Sequence, residues 1–115
     1  MELTQKLLDD HCSYLKKTKY PNKIQKLLLE HCTDDHGDLI KLNLIQIKKS
    51  VQRQGYGGAI LGDITSFADQ HNVRIILWVT DVYGMSIDRL YSFYKKHGFI
   101  IKKNNKGEML YHPRK

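Results

Sequence analysis

This sequence predicts a mixed α/β fold in which an antiparallel hairpin leads into a parallel βαβ unit, and three observations carry the prediction. Residues 74–80 include Ile75, Ile76, Leu77, Trp78 and Val79 without a break, the pattern of a central strand covered on both faces. Just ahead of them, Ile60, Leu61, Ile64, Phe67 and Ala68 recur at helical spacing, so a helix beginning after Gly58 and ending near His71 and Asn72 packs one stripe on a core. A strand over residues 39–48 and a glycine-rich turn precede that helix. Strand, turn, helix and strand make a βαβ unit, whose two strands run parallel.

The remaining elements follow from local pattern. Leu3, Leu7, Leu8, Cys12 and Leu15 recur among charged neighbours, predicting an amphipathic helix over residues 2–17 that the Tyr20-Pro21-Asn22 turn ends. Residues 24–32 read as a strand that pairs with 39–48 through the acidic turn at 34–38. In the second of these strands Ile40, Leu42 and Leu44 share a face, but the apolar phase then slips to Ile45 and Ile47. One bulged residue would produce that slip and splay the strand from its next neighbour; burial on both faces would produce it equally well. Ser86 can cap a later helix with Ile87, Leu90, Tyr91 and Tyr94 as its inner stripe and Gly98 as a left-handed close, after which Phe99 packs back on the last turn. Residues 99–103 and 109–112 read as a terminal hairpin.

With 115 residues, 41% hydrophobic, the chain is expected to form a single domain over 1–115. No apolar run approaches the ~20 residues of a membrane span, and the N-terminus shows no targeting pattern, so the expected location is the cytoplasm. A net charge of +7 favours anionic partners. Its lysines come in scattered pairs (Lys16-Lys17, Lys48-Lys49, Lys95-Lys96, Lys102-Lys103), which a solvated surface explains, so nucleic acid is the disfavoured partner. Cys12 and Cys32 lack paired metal spacing and read as free thiols, and no metal is expected.

Chemistry concentrates in Gln52-Arg53-Gln54-Gly55-Tyr56-Gly57-Gly58. Glycines at a helix start let backbone N–H groups converge on a ligand, and the positive helix end suits a pyrophosphate, with Arg53 adding a mobile charge. An isolated Gly-x-Gly is more often only a tight turn. Neither a nucleotide-hydrolysing phosphate loop nor a dinucleotide fingerprint matches.

On these residues the sequence resembles the GCN5-related N-acetyltransferase superfamily, whose acetyl-coenzyme A loop follows Q/R-x-x-G-x-G/A. A second match lies at Tyr94-Lys95-Lys96-His97-Gly98-Phe99, where the family's late helix commonly ends in Tyr, three variable residues and Gly-Phe. The resemblance covers roughly residues 39–99. It implies a mixed, largely antiparallel sheet flanked by helices, with a splayed parallel pair of central strands that receives the pantetheine arm. It further implies that the backbone of Ile47 and Lys49, flanking Lys48, meets pantetheine. By the same resemblance Gln52, Arg53, Gln54, Gly55, Tyr56, Gly57 and Gly58 surround the pyrophosphate, and Ser86 partly replaces the Asn that many members carry where this chain has Ile87.

The implied activity is transfer of an acetyl group from acetyl-coenzyme A to an amine of a protein or small molecule, by direct attack through a tetrahedral intermediate. The backbone N–H of Ile47 would face the oxyanion, and Tyr94 would be the acid for the departing thiolate. Periodicity alone makes Tyr94 a core aromatic. An amine of pKa ~10.4 must lose a proton before it attacks. Glu30, His31 and Asp38 are candidate bases that read more simply as solvent-facing hairpin residues, and no Glu lies between 39 and 48, so a water relay is expected. One helix stands where the family begins with a strand and two helices, which points to an open acceptor groove or to completion by a second copy in a homodimer. The competing readings are a catalytically inactive acyl-coenzyme A or partner-binding module and a basic nucleic-acid-binding protein.

Overall fold

The computed structural model describes residues 3–52, 54–79, 87–101 and 107–114. Thr4 opens the first helix, its side-chain oxygen accepting the Leu7 N–H at 3.1 Å, and α1 runs Gln5–Tyr14. Leu15–Lys19 continue it as a wider π-helical turn closed by the Tyr20 N–H on the Leu15 carbonyl at 2.8 Å. The helix expected from residue 2 therefore starts later, because Thr4 supplies the acceptor that the orphan N–H groups of a helix start require.

Strands β1 (Ile24–Asp34) and β2 (Gly37–Ile47) form the antiparallel hairpin. At its turn Gly37 takes φ +107° and Asp34 accepts the His36 N–H at 2.8 Å. The Arg74 guanidinium also bonds Asp34, and that bond, with the His36 N–H, holds its carboxyl down at about 2. Helix α2 (Tyr56–His71), β3 (Arg74–Trp78), α3 (Ile87–Lys96), β4 (Ile100–Ile101) and β5 (Glu108–Tyr111) follow. The sheet order is β1-β2-β3-β5-β4, parallel between β2 and β3 and antiparallel at every other junction.

Of the two explanations for the phase slip in β2, the bulge is present. Leu28 faces Leu44 and Leu29 faces Leu42, so Asn43 is an extra residue without an opposite number. Parallel pairing of β2 with β3 covers Leu39↔Arg74 to Leu42↔Leu77 and stops at the bulge, although β2 runs on to Ile47 beside β1. The two central strands therefore part beyond Leu42 and Leu77.

One face of the sheet carries the core. Leu27, Leu29, Ile40, Leu42, Ile75, Leu77, Met109 and Tyr111 are buried there with Leu8 and Leu15 of the first helical segment and Ile60, Leu61, Ile64 and Ala68 of α2. Each such aliphatic side chain stabilises by about 1.5–3 kcal/mol. Tyr94, Phe99 and Tyr111 pack in series, edge-on and then tilted, with centroids 5.6 and 5.4 Å apart, which sets α3 on this same face, and Tyr111 donates its hydroxyl to Asp69 of α2 at 2.8 Å. Phe99 folds back on the helix end as expected, across Gly98 at φ +94°.

Two expectations need correction. β3 is not covered on both faces by the described residues: Ile75 and Leu77 are buried, whereas Arg74 and Ile76 are half-buried and Trp78 is 46% exposed. The uninterrupted apolar run hides an alternation, because the described helices all pack on one side. On α3, Ile87 is 42% exposed, and Phe93 joins Leu90, Tyr91 and Tyr94 against the core in its place.

Where α1 crosses α2, the His11 ring stacks on Phe67 at 4.4 Å and Phe67 meets His71 at 4.3 Å. His11 Nε2 is buried with no hydrogen-bond partner among the described residues. Burial, aided by His71 and Lys19 and opposed by Asp63, lowers the His11 pKa below its ordinary 6.5. The unfolded chain then binds more protons than the folded one just below pH 6.5, so stability is present above that pH and falls as the pH drops through the folded value. Thermal melts between pH 7.5 and 5.5 should show a falling midpoint, and His11→Gln should flatten the slope.

Candidate functional site

The wedge left by the parting strands opens at their C-terminal ends, the position where open α/β sheets bind ligands. Residues from β2 lead directly into it. The Lys48 N–H donates to the Lys23 carbonyl at 2.9 Å on the β1 side. Successive peptides of a strand face opposite edges, so Ile47 turns its N–H and carbonyl toward the wedge, where Gln52 Nε2 meets that carbonyl at 3.1 Å. Of the expected pantetheine contacts, Ile47 thus has the required orientation, whereas the Lys48 N–H is already engaged. A 3₁₀ turn over Lys49–Val51 then carries the exposed Gln52 and Gln54 to the start of α2.

That start has an open N-terminus. Gly55 is left-handed at φ +85°, and among the described residues no side chain caps the helix and nothing lies within 4 Å of a Cβ added at Gly55. The Ala59 N–H closes the first turn on the Gly55 carbonyl at 3.1 Å, which leaves the N–H groups of Tyr56, Gly57 and Gly58 as the orphan donors of the helix start. The helix therefore begins at Tyr56, earlier than the glycine run suggests, because Gly55 alone makes the left-handed turn.

Gly57 and Gly58 also have a packing role that the sequence did not suggest. A Cβ at Gly57 would lie 3.7 Å from Phe93 Cζ, and one at Gly58 would lie 3.3 Å from His97 Nε2. Their missing side chains let α3 close on the first turn of α2, while their N–H groups still line its end. Burial, and then Lys96, lower the His97 pKa there. The Tyr56 ring is flanked by Tyr20, edge-on at 6.3 Å, and by Lys23 Nζ at 5.5 Å, so a cation stands beside the helix end. Donors, positive helix end and lysine together fit an anionic phosphate group.

Tyr94 lies one turn before Gly98, packed on Phe93 and Phe99, and burial raises its hydroxyl pKa. Arg53 and Ser86 lie outside the described residues. The hairpin bases stand elsewhere: His31 and Asp38 pair with each other at 2.8 Å beside the turn, and Glu30 accepts from Asn43 at 3.2 Å on the surface. Sequence reasoning missed Phe93, which the helical stripe of α3 contained, and Glu108. The latter opens β5 opposite Trp78 and is 4% exposed, and no periodicity marks it. Among the described residues there is no cluster of three metal-ligating side chains, both cysteines are free, and no helix is long and apolar enough to cross a membrane.

No protein-family model matches the sequence, and neither does any curated relative. Solved structures do match. A Bacteroides thetaiotaomicron protein classed as an acetyltransferase of the GNAT family is 16% identical with TM-score 0.57, over 94% of this chain and 70% of that one. AtaTR bound with acetyl-CoA is 18% identical with TM-score 0.55, over 75% of this chain and 55% of that one. The DNA-bound AtaT–AtaR complex is 16% identical with TM-score 0.62, over 95% of this chain and 75% of that one. At this identity the likeness establishes the fold: the chain has the mixed sheet and helices of GNAT acetyltransferases.

If Gly58 serves the helix contact, Gly58→Val should cost about 1–3 kcal/mol by overpacking. The loss should be smaller in a His97→Ala background, with urea midpoints of the two singles and the double as the measurement.

Proposed function

We propose that this chain is an acetyl-coenzyme A-dependent N-acyltransferase that acetylates an amine of a protein or small molecule. The observation that carries this reading is that an uncapped helix start, with three orphan N–H groups and an open glycine turn, stands at the mouth of the wedge between β2 and β3. The N–H groups of Tyr56, Gly57 and Gly58 would hold the pyrophosphate, with Gln52 and Gln54 alongside and Arg53 and Ser86 in the roles that the sequence gives them. The Ile47 N–H would face the acyl carbonyl or the pantetheine arm, with Lys49 next to it. AtaTR, with the same fold, was captured with acetyl-CoA, which supports that donor. Two free thiols accord with a reducing compartment, and we place the activity in the cytoplasm.

Tyr94 would be the acid. A hydroxyl pushed above its ordinary pKa of 10.0 stays protonated at neutral pH and can donate to sulfur as the carbon–sulfur bond breaks. A thiol of pKa about 8.5 is the stronger acid, so Tyr94 acts by hydrogen-bonding the developing thiolate, and full transfer follows only while the sulfur is still more basic. The acyl-binding module without catalysis is the alternative favoured by Ile87, which stands exposed where many GNAT proteins have an amide side chain.

Calorimetric titration with acetyl-coenzyme A should show saturable binding. Gly55→Asp, which tolerates the left-handed backbone but sets a carboxylate against the phosphates, should weaken it at least about 10-fold, and Gly55→Asn much less. Absence of binding by the folded wild-type chain would remove the reading. Tyr94→Phe should leave binding intact and lower turnover by about 10²-fold; unchanged turnover would reject Tyr94 as the acid.

A further inference from the structure

We infer that the cleft between the first helical segment and the outer edge of β1 receives an extended, acidic segment of a partner protein, which adds to the sheet as a strand beside Leu27. The inference is independent of the acyltransferase reading, because β2 separates this edge from the wedge.

Its basis is an edge that α1 closes over only part of its length. β1 ends the sheet, and every second residue turns its N–H and carbonyl outward. At His31 and Leu29 these groups are met by α1. The Gln5 side chain accepts the His31 N–H at 2.7 Å and donates to the Leu29 carbonyl at 3.1 Å, and Cys12 makes a backbone hydrogen bond at Leu29. Leu27 is next in the alternation and turns its N–H and carbonyl the same way. No hydrogen bond engages them among the described residues. Beside Leu27 lies a cleft of about 420 Å³, lined by Leu27, Leu28 and Leu29 from the strand and by Ser13, Lys16 and Lys17 from the helical segment. A backbone donor and acceptor on a strand edge, with side chains around them, are what strand addition uses: main-chain bonds hold the segment and the flanking groups select it.

Charge selects an acidic occupant. Lys16 and Lys17 are exposed, and neither forms an ion pair among the described residues. Lys26, also exposed, adds a cation on the strand itself. The acid in the lining, Asp9, already accepts the Gln5 amide at 3.0 Å. A chain of net charge +7 draws acidic partners to such a rim. The pleat sets the pattern of the segment. Leu27 and Leu29 are buried beneath the helices, whereas Leu28 is exposed on the opposite face. A strand added here would turn every second side chain toward Lys16 and Lys17 and the others toward the side of Leu28, so the segment that fits alternates acidic and apolar residues.

The test titrates the full chain, at low ionic strength, into dye-labelled Glu-Val-Glu-Val-Glu-Val amide and, as cationic counterpart, Lys-Val-Lys-Val-Lys-Val amide, with fluorescence anisotropy as the readout. Saturable binding of the acidic peptide alone is expected. The double variant Lys16→Glu, Lys17→Glu, changed only at exposed positions, should weaken it about 10-fold or more. Amide exchange followed by NMR reads the backbone: with the acidic peptide bound, the Leu27 N–H should exchange at least about 10-fold more slowly, while the His31 N–H, already bonded to Gln5, changes little. Absence of binding, equal binding of the two peptides, undiminished binding by the folded double variant, or an unchanged Leu27 amide would each overturn the proposal. So would protection of the Leu27 amide that rises with protein concentration in the absence of peptide, which would assign the edge to a second copy of the chain.

Discussion

Parallel pairing between β2 and β3 stops at Leu42 and Leu77 because β2 carries one residue, Asn43, too many for its antiparallel partner on the other side. A bulge bends and twists the strand that bears it, so β2 leaves with β1 while β3 continues with β5. The cleft thus arises from a register mismatch between backbone ladders, which no surface substitution on either lip would close. The start of α2, the Ile47 peptide and Trp78 acquire their relation to one another from this separation.

The glycine run shows how one short sequence can serve two constraints. Gly55 makes the left-handed turn and leaves open space in front of the helix. Gly57 and Gly58 are already helical, and their bare Cα atoms receive Phe93 and His97. A ligand-binding loop would ask only that the backbone be approachable from the N-terminal end. Here the side of the same turn must also be approachable by another helix, and three glycines in four positions satisfy both. Since Phe93 and Tyr94 are neighbours on α3, the contact that secures the glycine turn also sets the position of the tyrosine hydroxyl.

Element order, the parallel pair and the bulge were legible because each leaves a periodic trace: the phase slip around Leu44, the helical stripe from Ile60 to Ala68, the Gly98-Phe99 close. What escaped was information carried across the sheet. The run from Ile75 to Val79 looks doubly buried, yet helices on only one side leave Ile76 half-covered and Trp78 exposed, and which face a helix takes is decided by connections that no local pattern contains. Glu108 escaped for the same reason. A lone carboxylate after a glycine reads as a turn, whereas it is a buried strand residue opposite Trp78. Tyr94 was ambiguous between core and catalysis: its ring is packed on Phe99, as the helical stripe alone would have it, and its hydroxyl is desolvated, which no periodicity reveals.

β1 lies at one edge of the sheet, and an edge strand invites another chain to pair with it. Gln5 of α1 occupies that position: its side-chain amide donates to the Leu29 carbonyl at 3.1 Å and accepts the His31 N–H at 2.7 Å, as a neighbouring strand would. Cys12 takes up a further backbone hydrogen bond at Leu29, and burial still raises the pKa of its thiol to about 11. With this edge sealed by α1 at Leu29 and His31 and the core face filled by helices, the described residues leave the cleft beside Leu27 and the broad face bearing Leu28, Trp78 and Ile100 as the uncovered approaches to the sheet.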